Sequence, residues 1–349
     1  MQKGRILCVV PIALTLLIAL GCGKQPSTAI HPVKLKMFAP LPEGYPAQAA
    51  ALTEEKINLG RMLYYEPRLS KSQKISCNSC HGLSTYGVDG EPTSNGHKGQ
   101  KGDRNSPTVY NSAGHFVQFW DGRAANVEEQ AKGPVLNPVE MAMPNDRQVI
   151  TVLKSIPEYV DAFKKAFPED RDPVTYDNMA KAIGAFERKL VTPARWDKFL
   201  KGDQAALTEE EKIGFNTFTT VGCQACHAGA LLGGNLYQKL GLVKPYPDAS
   251  DPGRAKVTKK DADRMLFKVP ALRNIEKTGP YFHNGKVAAL DQAVAHMAEY
   301  QLGKPLSETE VRSIIAFLKS LTGDIPVDYI KEPALPKSTS KTPKPDLTD

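Results

Sequence analysis

Cys77-Asn78-Ser79-Cys80-His81 decides how this chain is read. Two thiols three positions apart with an imidazole directly after them form the attachment pattern of a c-type haem. Each thiol adds across one vinyl group, which tethers the ring at two points along one edge. The next residue then lies beneath the iron and offers a proximal nitrogen. One such pentapeptide could also be a fragment of a zinc site or a redox pair. Zinc would need further Cys or His at short knuckle spacing, and none follows closely. A second copy, Cys223-Gln224-Ala225-Cys226-His227, makes two covalently bound haems c the expected cofactors.

Working outward, each pentapeptide sits in the same setting. Leu52-Thr53-Glu54-Glu55-Lys56-Ile57 precedes the first, and Leu207-Thr208-Glu209-Glu210-Glu211-Lys212-Ile213 precedes the second. Thr53 and Thr208 are good N-caps, with carboxylates in the first turn where the helix dipole favours them, and Thr208 with Glu211 makes a capping box. Ile57, Leu59, Met62 and Leu63 supply a buried stripe that Pro67 ends. Ala185-Phe186 followed by Leu190, and Ala316-Phe317 followed by Leu321, recur late in apolar helices. The last helix opens at Ser307 with Glu310 and is expected to close at Gly323. Capped helix, haem pentapeptide, long loops and late helix thus occur twice. The expected fold is mainly α, with two cytochrome-c-like domains related by internal duplication and long irregular loops. The expected boundaries are 48–191 and 192–330, with the seam at Thr192-Pro193.

The ends of the chain read differently. Lys3 and Arg5, the apolar run Ile6 to Leu20 and small residues before Cys22 make 1–22 an export signal, too short for a comfortable membrane span. Ala19-Leu20-Gly21-Cys22 is similar to a bacterial lipoprotein processing site, so Cys22 is a candidate lipid anchor; the other reading is a plain secretory signal cut nearby. Periplasmic localisation is expected on either reading. Residues 23–47, rich in proline, read as an extended linker, and 331–349 as a disordered tail. Of six cysteines, Cys8 and Cys22 belong to the signal and four to the haem pairs, so none remains for a disulfide. The 349 residues suit two domains, and 41% apolar with 24% charged content is ordinary for a globular protein. A formal charge of +7, without a dense Lys/Arg run interleaved with aromatics, is no nucleic-acid footprint.

Arg104-Asn105-Ser106-Pro107-Thr108, Phe119-Trp120-Asp121-Gly122-Arg123, Pro138-Val139-Glu140-Met141, Leu272-Arg273-Asn274 and Pro280-Tyr281-Phe282-His283-Asn284-Gly285 together resemble the bacterial di-haem cytochrome c peroxidase family, from about Thr53 to Gly323. The resemblance implies that Met297 is the thioether ligand opposite His227, and that His97, in a glycine-flanked loop, is a removable sixth ligand opposite His81. Glu140 and Gln130 match residues lining the distal pocket of the first haem. There a carboxylate can move a proton, while an amide can only orient. Trp120 matches a tryptophan between the haems; Asn105, Thr278 and Pro280 match a calcium site, the latter two through backbone carbonyls. His283 is expected to be structural or near electron entry, and His296 a surface or packing residue. His115 and His31 have no matched role and are expected to be exposed.

The resemblance therefore implies a cytochrome-c peroxidase that reduces hydrogen peroxide to water. Electrons would come from a small donor, a monohaem cytochrome c or a cupredoxin, entering at the C-terminal haem and passing to the N-terminal one. A homodimer is expected from the same source. Two other functions remain open: a di-haem electron carrier without turnover, and an oxidase that matures a protein-derived cofactor. Relatives of the second kind carry Tyr at the place of Met297, and a pure relay needs no acid/base group such as Glu140.

Overall fold

The computed structural model describes Met1, residues 27–47 and residues 52–347. Cys22 and all of the expected signal segment except Met1 lie outside the described residues. Helices dominate. The first half carries α1 (Glu54–Tyr64), α2 (Val127–Leu136), α3 (Asp146–Lys154), α4 (Pro157–Ala166) and α5 (Tyr176–Glu187). The second carries α6 (Arg195–Leu200), α7 (Glu209–Val221), α8 (Leu290–His296) and α9 (Glu308–Lys319). The described strands, β1 (Tyr237–Lys239) and β2 (Leu266–Lys268), pair antiparallel with Tyr237 opposite Lys268. No described helix is long and apolar enough to cross a membrane.

The caps form as their sequences dictate. Thr53 Oγ1 accepts from the Lys56 amide at 3.3 Å, and the Thr208/Glu211 and Ser307/Glu310 boxes both close. α9 ends at Lys319, before Gly323, which instead lies against the carbonyl of Thr192 and pairs with Ala194 across a β-bridge. In each half the opening helix crosses the closing one: α1 packs on α5, and α7 on α9. Each crossing is made at a glycine. A methyl group on Gly60 would overlap the carbonyl of Ala182, and one on Gly214 that of Ser313. Phe186 and Phe317 close the two crossings from the same side, four residues on. The first core gathers Leu63, Tyr64, Phe163 and Phe186; the second gathers Trp196, Phe215 and Phe317.

Residues 105–127 and 268–290 share one backbone course without a gap. Pro107 matches Pro270. Asn111 and Asn274 both adopt left-handed φ of 61°. Phe119 and Phe282 have φ of 65° and 68°, and Gly122 and Gly285 φ of 67° and 62°. The bridges Gln118–Ala124 and Tyr281–Val287 fall in the same register. At the seam the two asparagines meet on one threonine. Thr192 is fully buried, and its hydroxyl accepts from Nδ2 of Asn111 and of Asn274, each at 2.9 Å.

The chain ends depart from the expected linker and tail. Phe38 enters the second core, the Leu41 amide donates to Asp197 Oδ1 at 2.7 Å, and the Tyr45 amide donates to Arg188 O at 3.0 Å. The proline-rich segment thus runs over the second half and reaches the first. The tail, rather than being disordered, lies along the first half. Arg68 Nη2 donates to Pro336 O at 2.8 Å, Gln73 Nε2 to Pro343 O at 2.8 Å, and Thr339 Oγ1 to Ser155 O at 2.9 Å. Two tail carbonyls accept from side chains of the first half and one tail hydroxyl donates back to it, an attachment that hydropathy does not register. Gly214→Ala is expected to destabilise the folded chain by about 1–3 kcal/mol in denaturant unfolding, because overlap with Ser313 outweighs alanine's helix preference of about 1 kcal/mol.

Candidate active site

Both pentapeptides present their histidines alike. His81 Nδ1 faces the Gly87 carbonyl at 3.4 Å, and His227 Nδ1 the Leu232 carbonyl at 3.0 Å. A carbonyl partner keeps the proton on Nδ1 and leaves Nε2 as the donor, the usual arrangement behind a metal-bound histidine. Burial lowers the pKa of both rings, against the opposing pull of the carbonyls, so both favour the neutral, ligating form. None of Cys77, Cys80, Cys223 and Cys226 is in a disulfide. Thiols free of a disulfide beside an imidazole with an open Nε2 fit covalent haem at both places.

A cavity enclosing about 1340 Å³ of empty space, part of it open to solvent, holds Cys77, Cys80 and His81 on its wall. Glu140, Gln130, Arg123 and Trp120 line the same cavity. Asn137 Nδ2 donates to Glu140 Oε1 at 2.8 Å, which fixes the carboxyl. Burial raises the Glu140 pKa, opposed by Arg123 and by the Asn137 bond. A carboxyl lifted in this way moves toward the range in which it can both take and return a proton.

His97 lies beside this wall. Its ring is buried, neither ring nitrogen has a partner, and it is not among the cavity-lining residues, although Gly96 is. Its amide is tied to the carbonyls of Val139 and Glu140 at 3.1 and 2.7 Å. A methyl on Gly96 would overlap the Val139 carbonyl, and Lys98 and Gly99 follow at φ of 56° and 73°. This is a tight turn that carries an imidazole with open coordination capacity and joins it directly to the Glu140 backbone.

Met297 opens a π-helical turn, Met297–Gln301, where α8 ends; such turns recur at functional positions. It packs with Trp120, Phe282 and Tyr300 around Leu240, Tyr246, Met265 and Phe267. His296 is a packing residue, its ring centroid 6.2 Å from Phe282 and 5.7 Å from Tyr300. Trp120 belongs both to this cluster and to the first cavity. Its Nε1 donates to Asn105 O at 3.0 Å, and its ring meets His283 edge-on at 6.4 Å. His283 is buried and stacks on Phe267 at 4.4 Å, and its carbonyl accepts from the Asn105 amide at 2.8 Å. Asn105 is thereby joined to the segment after Thr278 and Pro280. Among the described residues no cluster of three or more His, Cys, Asp or Glu could hold a metal ion. A cation at Asn105 would therefore rest on amide and carbonyl oxygens.

One expectation about the site residues fails. His115 is not an exposed histidine: its Nδ1 lies 2.8 Å from Lys268 Nζ, and its buried Nε2 has no partner. Lys268 was missed by the sequence reading altogether, yet it is 4% exposed and lines the first cavity with His115. The available signal was register, since Lys268 precedes Pro270 as Asn105 precedes Pro107. His31 is exposed, as expected.

The family model described as di-haem cytochrome c peroxidase matches residues 54–205. The chain is 48% identical over 353 residues to a cytochrome c551 peroxidase of Pseudomonas aeruginosa, covering 99% of both. It is 51% identical over 289 residues to a cytochrome c551 peroxidase of Nitrosomonas europaea, covering 82% of this chain and 85% of that one. Among solved structures, a MauG-like protein associated with microbial copper homeostasis superposes with a TM-score of 0.74 at 28% identity, covering 84% of this chain and 98% of that one. Replacing Cys223 and Cys226 together by alanine is expected to halve the covalently bound haem per chain, measured by absorbance and intact mass.

Proposed function

The chain belongs to the di-haem cytochrome c peroxidase family, and on that premise we propose that it reduces hydrogen peroxide to water with electrons from a small periplasmic redox protein. The balance is two protons and two electrons for each peroxide, with two waters formed. Haem c, held by Cys77, Cys80 and His81, would supply the redox-active iron at which peroxide is reduced. The chain's residues do the rest. Glu140, oriented by Asn137, takes the proton from the near peroxide oxygen and returns it to the departing one. Gln130 stands on the same wall, where its amide can donate and accept hydrogen bonds and hold the substrate in line. The observation that carries this reading is the sharing of one cavity by Cys77, Cys80, His81, Gln130 and Glu140.

His227 and Met297 would hold the second haem's iron, a donor set that raises a haem's reduction potential and suits it to hold an electron. Trp120 carries the path between the haems, and its membership of both packing environments supports that role. His97 is the removable ligand of the first haem. Its buried ring without a hydrogen-bond partner, on a turn bonded to the Glu140 backbone, suits a residue that exchanges places. The two halves descend from one duplicated haem domain, divided at Thr192-Pro193. The glycine crossings and the shared register of 105–127 with 268–290 support this.

Asn105, with the carbonyls of Thr278 and Pro280, binds calcium at the domain boundary. The protein is exported to the periplasm, with Cys22 as lipid anchor, and acts as a homodimer that receives electrons from a monohaem cytochrome c or a cupredoxin.

Glu140→Gln is expected to lower kcat by about 10²–10⁴ with haem content unchanged, measured with peroxide and a reduced donor cytochrome. Calcium at 100 times its Kd adds about 2.7 kcal/mol, so chelation is expected to lower Tm in wild type and to leave an Asn105→Ala variant unmoved in a calorimetric scan.

A further inference from the structure

Lys268 and His115 face each other across the domain boundary on the wall of the cavity that carries Cys77, Cys80 and His81. A lysine amine taken out of water must find a counter-charge or give up its proton. Among the described residues no carboxylate forms an ion pair with Lys268. The carboxylate that acts on it through space is Asp121, already held by Arg104 at 2.6 Å and Arg123 at 3.1 Å. Burial draws the lysine down to about 7, against the opposing pull of Asp121. The Lys268 backbone is fixed as well, its amide donating to Trp120 O at 2.8 Å. Lys268 Nζ donates to His115 Nδ1, which leaves the imidazole Nε2–H and the remaining amine hydrogens without an acceptor in the cavity wall.

The repeat register gives a second reason to regard this as a built site. Lys268 stands in the second half where Asn105 stands in the first, and His115 where Thr278 stands in the second. The pair therefore falls at the duplicate of the proposed calcium position. One copy gathers oxygens for a cation from solution; the other provides its own tethered cation.

We infer that Lys268, positioned by His115, binds a carboxylate at this cavity, namely a propionate of the haem attached at Cys77 and Cys80. The inference rests on the di-haem reading above. The propionate supplies the missing counter-charge, and the ion pair anchors the edge of the ring opposite the thioethers. A cation held there also favours the reduced iron, so Lys268 contributes to the potential of the first haem. His115 acts through Lys268, as a positioning residue.

The test uses the holoprotein and the variants Lys268→Met, Lys268→Arg and His115→Gln. Covalent haem content is measured first; wild type lacking two attached haems would refute the di-haem reading itself. With both haems present, potentiometry and resonance Raman read the inference. Lys268→Met is expected to lower the midpoint of the first haem and shift its propionate bending bands, with the second haem unmoved. Lys268→Arg is expected to restore both signals, and His115→Gln to move them in the same direction by less. Wild-type midpoints and bands in Lys268→Met overturn the proposal, as does a change confined to the second haem. Should Lys268→Met not accumulate as folded holoprotein, His115→Gln decides, and unchanged midpoint and bands there overturn the proposal.

Discussion

A carbonyl behind each imidazole is the contact on which the rest depends. Nδ1 of His81 and of His227 is occupied by backbone, at Gly87 and Leu232, so Nε2 of each is left free as a donor to a metal. Without that bond the ring could turn, or present the wrong tautomer, and two tethering thiols would hold a haem with no defined axial ligand. Glycine crossings beneath each site bring the opening and closing helices close enough for those loops to be held against a packed core.

Two equivalent sites would offer no division of labour; the two differ in the residues that surround them. In the second half, a thioether is delivered by a π-helical turn into an aromatic cluster. In the first, a buried carboxyl and an amide line a roomy cavity, and an imidazole waits beside it on a strained turn. The indole of Trp120 belongs to both environments. Asn111 and Asn274 converge on Thr192, so the boundary between the halves is fixed by bonds from each.

The haem pentapeptides, the capping boxes and the apolar helices were legible because each is a local pattern with a local cause. So was the order of elements that suggested two domains. What escaped notice depends on contacts distant in sequence. Lys268 and His115 are 153 positions apart, and neither belongs to a periodic or metal-binding pattern. The proline-rich start and the polar end read as solvated, yet Phe38 enters a core and the tail carbonyls find Arg68 and Gln73. Composition reports how much apolar surface a segment can bury, and these segments are held mainly by other means.

The central claim is that the two irons are unequal because sulfur coordinates one of them. Its most direct test is potentiometric titration of wild type and Met297→Leu, alongside turnover. The account predicts two well-separated midpoints in wild type. In the variant, with both haems still attached, the higher midpoint falls and peroxide reduction collapses. A variant that keeps its higher midpoint and full turnover would contradict it.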